Sequence, residues 1–597
     1  MRRYAMPIRL HRALLLTALF LIFSPLHCRA IDPVPSQNPA TPLNHGLSDL
    51  ELQQWYHLSA GTQLIPYDWL VALVDDSLTK IFAVTGLVAD PGHSDKLPVG
   101  FAKTEGPNIP VPQAGFTCSF CHTTQFSYKG HAIKIDGGPS LQYNSRFLSA
   151  LIQRLGMLLP PDQPAFLKSL KEQTPPEPFK TFATRVLASR GEVVTAYTLT
   201  KLAQDVRMYT QGLISRSGRD LSPEQWGPGR FDALGRGGNM VFTALNPDNL
   251  RPANAPVSIP PLWGVWEYDW VQWAGSIQHP LARNIGQVIG VNAGLFNWVQ
   301  PGVDIPSEKD KVFRSSVDIE SLKTLENLAR RLSPPQWPSV FPPINRELAA
   351  RGKDLYHGNK AKGIQNLCAH CHVPAKISNA SDKAPSLQIT MVPLQEIGTD
   401  SLYLENFSRR TVDTSFLGRG RISAREASEY VTTELLAVNN ASNEPEYQGR
   451  PNIWRDKAQY IARPHVAVWA TAPYLHNGSI PNLYELLSPI RERSTCFALN
   501  PNMEFDPVKV GFVTEDCTGL PPSPTQPARF EFKTMLPGNS NRGHEFADTT
   551  DCDNARSNGI LGCALPVDDR WAIIEYLKTC DIARQILPMA LACRDPD

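Results

Sequence analysis

Two short segments of this 597-residue chain share one arrangement of thiols and imidazole: Cys118-Ser-Phe-Cys121-His122 and Cys368-Ala-His-Cys371-His372. Cysteines three positions apart stand about one helical turn from each other, so both can bond the vinyl groups along one edge of a single porphyrin. The next residue then sets an imidazole beneath the iron. Each segment is read as an attachment site for haem c, anchored by Cys118 and Cys121 or by Cys368 and Cys371, with His122 or His372 as axial ligand. A structural zinc knuckle would need two further ligands at set spacing, and no other close cysteine pair exists. A redox CxxC explains neither the histidine nor the repetition. The expected cofactors are two covalently bound haem c groups.

The elements that hold these motifs follow from pattern. Their first cysteines lie 250 residues apart, and between them runs Ser333-Pro-Pro-Gln-Trp-Pro338 to Pro342-Pro343, which can be neither helix nor inner strand. Ile319, Leu322, Leu325, Leu328 and Leu332 recur at helical spacing before it, as do Ile344, Leu348 and Leu355 after it. Further helices are expected over 179–187, 193–214 and 568–578, the last opening on Asp568 and Asp569. The fold expectation is mainly α, with two cytochrome-c-like haem domains, long irregular loops and little β. The units are a signal peptide (1–30), an N-terminal haem domain (31–332), a Pro-rich linker (333–343) and a C-terminal haem domain (344–597).

The first thirty residues carry Arg2, Arg3, Arg9 and Arg12, then the apolar run Ala13–Phe23, then Cys28-Arg29-Ala30, a secretory pattern. The expected location is periplasmic or secreted. Six cysteines, Cys496, Cys517, Cys552, Cys563, Cys580 and Cys593, crowd the C-terminal region. In an oxidising compartment they read as three disulfides, neighbours in sequence being favoured among 15 pairings. Lys+Arg 58 against Asp+Glu 57, with 42% apolar residues, excludes a nucleic-acid stripe and a disordered chain. No later apolar run approaches the roughly 20 residues of a membrane span.

Beyond the haem motifs, Leu97-Pro-Val-Gly-Phe101, Gly115-Phe-Thr-Cys118, Ile135-Asp-Gly-Gly-Pro139, Ala472-Pro-Tyr-Leu-His-Asn-Gly-Ser479 and Gly538-Asn-Ser-Asn-Arg-Gly-His-Glu-Phe546 form a wider pattern, together with the helix at Trp571. The pattern resembles the bacterial di-haem cytochrome c peroxidase superfamily, with its rubber-oxygenase-like branch most similar. The resemblance spans roughly residues 95–580. It implies a reactive N-terminal haem with an accessible distal face and a six-coordinate C-terminal haem that handles electrons. His544 then occupies the place of the second iron's distal ligand, with His476, Met503 and Met535 as alternatives. His131 could reach the first haem as a distal ligand, although an oxygen-binding site would leave that face open and apolar. No proton-shuttling acid or base is assignable.

Trp263, Trp266, Trp270 and Trp273 place four of the twelve tryptophans within eleven positions. They read first as a hydrophobic wall; the sharper expectation, by the same resemblance, is that one, Trp263 being the candidate, sits between the haems as an electron relay or lines the distal cavity. A bare electron carrier needs only about a hundred residues per haem, so an oxidoreductase is favoured. The favoured reaction is oxygenation of an apolar unsaturated substrate with O2. The alternatives are a peroxidase supplied by a small electron-donor protein, a pure electron-transfer cytochrome, or a haem sensor or protein-oxidising enzyme.

Overall fold

The first motif is framed by short sheets. A hairpin of strands Phe101–Gly106 and Ile109–Phe116 delivers the chain to helix Cys118–His122, and a second hairpin, Thr123–Tyr128 with His131–Asp136, carries it away. The computed structural model describes residues 41–43, 45–106, 109–217, 226–293, 313, 315–378, 383–499, 503–519, 529–549, 558–589 and 591. The signal segment, Cys552 and Cys593 lie outside them. Gly100 is required at its turn: φ is +92°, and a Cβ would meet Phe120 Cα at 2.3 Å.

The expected helices form, each for a visible reason. Helix Ile319–Arg331 starts at Asp318, whose side chain caps Ser321 N at 3.0 Å, and it buries Ile319, Leu322, Leu325 and Leu328. Helix Arg346–His357 is capped by Asn345 and buries Ala349, Leu355 and Tyr356. It crosses helix Val567–Leu577 at Gly352, where an added Cβ would stand 1.9 Å from the Ala572 carbonyl oxygen. This crossing backs the second motif: Leu367 and Cys368 donate their amides to the Leu355 and Tyr356 carbonyls at 3.2 Å each. Helix Phe179–Ser189 covers the stretch expected over 179–187, and the helix expected over 193–214 runs from Ala196 to Ser217. They join Tyr67–Leu73 and Asn144–Met157 around a satellite core that includes Leu151, Phe182 and Val206.

Two features depart from the sequence expectation. Strand is more pervasive than "little β": the CxxCH motifs and the disulfide region are laced by small sheets, although none exceeds three strands among the described residues. The Pro-rich stretch is also no free linker. Trp337 and Phe341 are buried, Trp337 packing edge-on against Trp469 at 5.4 Å and Phe341 stacking on Phe505 at 5.2 Å. The principal core is therefore continuous, running from Trp55 through Trp337 to Ile573. Proline runs lack amide donors, so this extended segment enters the core with few backbone groups to satisfy. Cys496–Cys517 is bridged with Cα atoms 5.8 Å apart, and Cys563 and Cys580 are each disulfide-bonded.

Candidate functional site

Each CxxCH segment opens onto its own cavity. The first cavity, ≈ 270 Å³, is lined by Cys118, Cys121 and His122 together with Trp55, Phe242 and Ile289. The second, ≈ 190 Å³, is lined by Cys368, Cys371 and His372. None of the four cysteines is in a disulfide. Burial pushes the thiols of Cys118, Cys121 and Cys368 up to about 12, so they are neutral rather than thiolate nucleophiles.

The chain after the first motif braces it. Gly137 N donates to the His122 carbonyl at 2.7 Å and Ser140 N to the Cys121 carbonyl at 2.8 Å. The His122 ring is buried, which with the nearby Arg283 and Arg463 charges takes its pKa down to about 3. The Pro260 carbonyl pulls weakly the other way, yet His122 Nδ1 has no partner of hydrogen-bond geometry. A neutral imidazole is what metal ligation requires.

The second motif carries the fuller ligand arrangement. His372 Nδ1 lies 2.7 Å from the Arg463 carbonyl; a carbonyl only accepts, so Nδ1 carries the proton and Nε2 is left as a lone-pair donor. Burial lowers the pKa of His372 to about 4. His544 stands across the cavity, its ring centroid 6.1 Å from that of His372 at an interplanar angle of 60°. Two imidazoles on opposite sides of one metal, each with a bond of about 2 Å, have centroids roughly 6 Å apart. His544 Nδ1 has no hydrogen bond, and the residue is held by its backbone, N to the Ile397 carbonyl at 2.9 Å and O from Arg493 at 2.9 Å.

The other candidates fall elsewhere. His476 lines the second cavity, but its ring stacks on Tyr460 at 4.1 Å. Met503 is buried and lines neither cavity, and Met535 is 86% exposed. His131 is exposed at the start of its strand, paired with Tyr128 beside the hairpin turn, and does not line the first cavity. Among the described residues, His122 is the only histidine lining that cavity. Trp263 is fully buried with Nε1 donating to the Asp136 carbonyl at 3.1 Å, and it lines neither cavity. Its neighbour Trp273 lines both, anchored by Nε1 to the Ser258 carbonyl at 2.7 Å.

Sequence reading missed two residues here. His465 lines the second cavity, stacked on His372 at 3.8 Å with Nδ1 3.1 Å from the Tyr356 hydroxyl. Arg463 lines both cavities and passes its Nη2 to the Pro261 carbonyl at 2.6 Å. The only signal for either was their place shortly before the Ala472–Ser479 motif.

Comparison with known proteins decides the family. Residues 459–498, which contain Arg463, His465 and His476, match the model described as RoxA-like, cytochrome c-like. The protein y4iJ of Sinorhizobium fredii (strain NBRC 101917 / NGR234) is 31% identical over 600 residues, covering 91% of this chain and 94% of that protein. The chain belongs to one family with y4iJ. A second protein of that organism, y4iM, is 28% identical over 382 residues, 60% of this chain and 73% of its own length. Both relatives are described as uncharacterised. The matched family model and the attachment chemistry make this chain a c-type cytochrome with covalent haem c. No helix among the described residues is long and apolar enough to cross a membrane.

Proposed function

We propose that this chain is an exported di-haem c-type oxidoreductase. In this reading the first site oxidises a substrate with O2 or peroxide, and the second stores and passes electrons. The observation that carries the division is the contrast between the cavities. His372 faces His544 across the second, whereas the first offers His122 alone among the described residues. A haem with two imidazoles has no open position, while one with a single protein ligand keeps a face for a small molecule. Bound haem would supply the redox chemistry. The chain's own contribution is to fix it through paired thiols, orient His372 through the Arg463 carbonyl and wall off water with apolar side chains such as Phe242, Val288 and Ile289.

That wall favours an apolar unsaturated substrate and the oxygenase reading, in which two cytochrome-c-like units act without an external electron donor. Trp273, shared by both walls, supports electron exchange between the sites. A second reading, peroxide reduction with a small donor protein, is favoured by a buried carboxyl in the first cavity wall, Glu326. Optical and EPR spectra of the isolated protein separate the two, recorded before and after ascorbate and then with O2 or peroxide. The oxygenase reading predicts a stable oxygen complex at one haem and no peroxide turnover. Peroxide consumption that appears only on half-reduction would overturn it.

A further inference from the structure

The loop that ends on His544 bends through two residues in the left-handed conformation, Gly543 at φ +76° and His544 at +45°. A non-glycine residue is strained there and persists only where its surroundings hold it. The ring does not supply that hold, since His544 Nδ1 has no hydrogen bond. The backbone does. The His544 amide donates to the Ile397 carbonyl at 2.9 Å, and the carbonyls of the loop are taken by one side chain. Arg493 donates from Nη1 to the Asn541 and Gly543 carbonyls at 2.6 and 2.9 Å, and from Nη2 to the His544 carbonyl at 2.9 Å. Its other donors turn the opposite way, Nη2 to the Leu486 carbonyl and Nε to the Ser488 carbonyl at 3.3 Å each.

Five carbonyls thus consume the whole donor set of a guanidinium, and Arg493 is only 4% exposed. The acids near it are occupied elsewhere: Glu485 accepts from the Ser494 amide at 2.9 Å and Glu545 from the Ile490 amide at 3.1 Å. Burying a cation against neutral carbonyls is costly, and its three shorter bonds all go to the loop. Leu483, Leu486 and Leu487, on the other side of the fork, line the second cavity. The guanidinium therefore ties the wall of that cavity to the loop whose His544 ring faces His372 at 6.1 Å. Arg493 itself does not line the cavity.

We propose that Arg493 is the positioning residue of the second site: it fixes the backbone that presents His544, and this fastening keeps the site closed to outside ligands. A lysine could not replace it, because an ammonium lacks the planar fork that reaches carbonyls on both sides at once. Partners that orient a ligand from outside the metal's own shell change its hold by about 10- to 100-fold when removed. The inference deepens the reading of His372 and His544 as facing ligands and rests on it.

The test titrates the haem-loaded protein with free imidazole and follows it by EPR and optical spectra, with His544→Ala as reference. Arg493→Gln should let imidazole bind at the second haem, which ignores it in the wild type, so that two haems respond where one did. Arg493→Lys should fall between the two. Arg570→Gln separates positioning from general loosening. Arg570 is equally buried and ties Leu565, Ser488 and Glu492, but it does not touch the His544 loop. That variant should lose stability and keep the second haem indifferent to imidazole. A wild-type titration in R493Q would overturn the proposal, and so would equal opening in R570Q. If R493Q does not fold, R493K decides, a wild-type titration there being the contrary result. An H544A protein that opens the second haem, beside an R493Q protein that does not, refutes this inference alone; an H544A protein with the wild-type response refutes the ligand reading and this inference with it. Deuterium uptake gives a readout that needs no haem. Peptides over 541–546 should exchange about tenfold faster or more in R493Q, with Val567–Leu577 unchanged, and wild-type protection of 541–546 would sink the proposal.

Discussion

The two histidines facing each other in the second cavity differ in how firmly each is held. His372 is oriented by a hydrogen bond to the Arg463 carbonyl, whereas His544 is held by its backbone alone and leaves Nδ1 without a partner. His279 shows what protonation of a buried imidazole costs beside the first cavity, whose wall includes its neighbours Gln278 and Pro280. Its Nδ1 caps helix Pro280–Gly290 by accepting from Ala282 N at 3.2 Å, and burial, with Arg450 and Arg283 nearby, lowers its pKa to about 4. The unfolded chain, with an ordinary value of about 6.5, takes up the proton first. Stability from this residue is therefore complete above about pH 6.5 and is lost as pH falls towards 4, a change of up to about 3 kcal/mol. His279→Asn keeps a capping acceptor without the titration. Urea unfolding at both ends of that window should show the variant losing less stability on acidification than the wild type; equal losses would contradict the assignment. Glu326 and His465 illustrate what sequence leaves hidden at this scale. A glutamate between leucines reads as the polar side of an amphipathic helix, and only the packing of Asn284 and Tyr447 against it shows that it points inward.

The helices that clamp the second motif were legible because their apolar spacing is local, and so were the motifs themselves, since thioether attachment needs adjacent residues. The crossing point was not, because Gly352 matters only when Ala572 arrives from more than two hundred residues away. Gly352→Ala gains up to about 1 kcal/mol in helix propensity, but its methyl would overlap the Ala572 carbonyl, and overpacking there costs about 1–3 kcal/mol or more. The steric effect wins. Thermal melts should show net destabilisation, and the haem content of the purified variant should fall at the Cys368–Cys371 site. The tryptophan group teaches the same point. Four tryptophans share one segment, and the path of the loop decides that Trp263 braces Asp136 and Gly137 while Trp273 reaches both cavities. On the di-haem proposal, Trp273→Phe should slow electron equilibration between the sites after flash reduction, and Trp263→Phe should affect stability more than that rate. The reverse ranking would move the relay elsewhere.

At the scale of the molecule, a Pro-rich stretch that reads as a boundary becomes part of a continuous core. Trp337 and Phe341 join Tyr128 of the N-terminal half to Trp469 and Phe505 of the C-terminal half. Trp337→Ala should therefore cost about 3–5 kcal/mol, and on the di-haem proposal denaturation followed at both CxxCH sites should shift together; separate transitions would restore the picture of two units on a linker. Family membership with y4iJ covers nearly the whole chain, yet what the protein oxidises rests on the contrast between its two cavities. The measurement that reaches that contrast most directly is EPR of the oxidised protein during titration with free imidazole, with His544→Ala and His476→Ala alongside. The account predicts one haem that is low-spin and indifferent to added imidazole, and another that binds it. It also predicts that H544A opens the first of these while H476A leaves it unchanged. Two haems that both resist imidazole, or a low-spin signal that survives H544A and disappears in H476A, would contradict it.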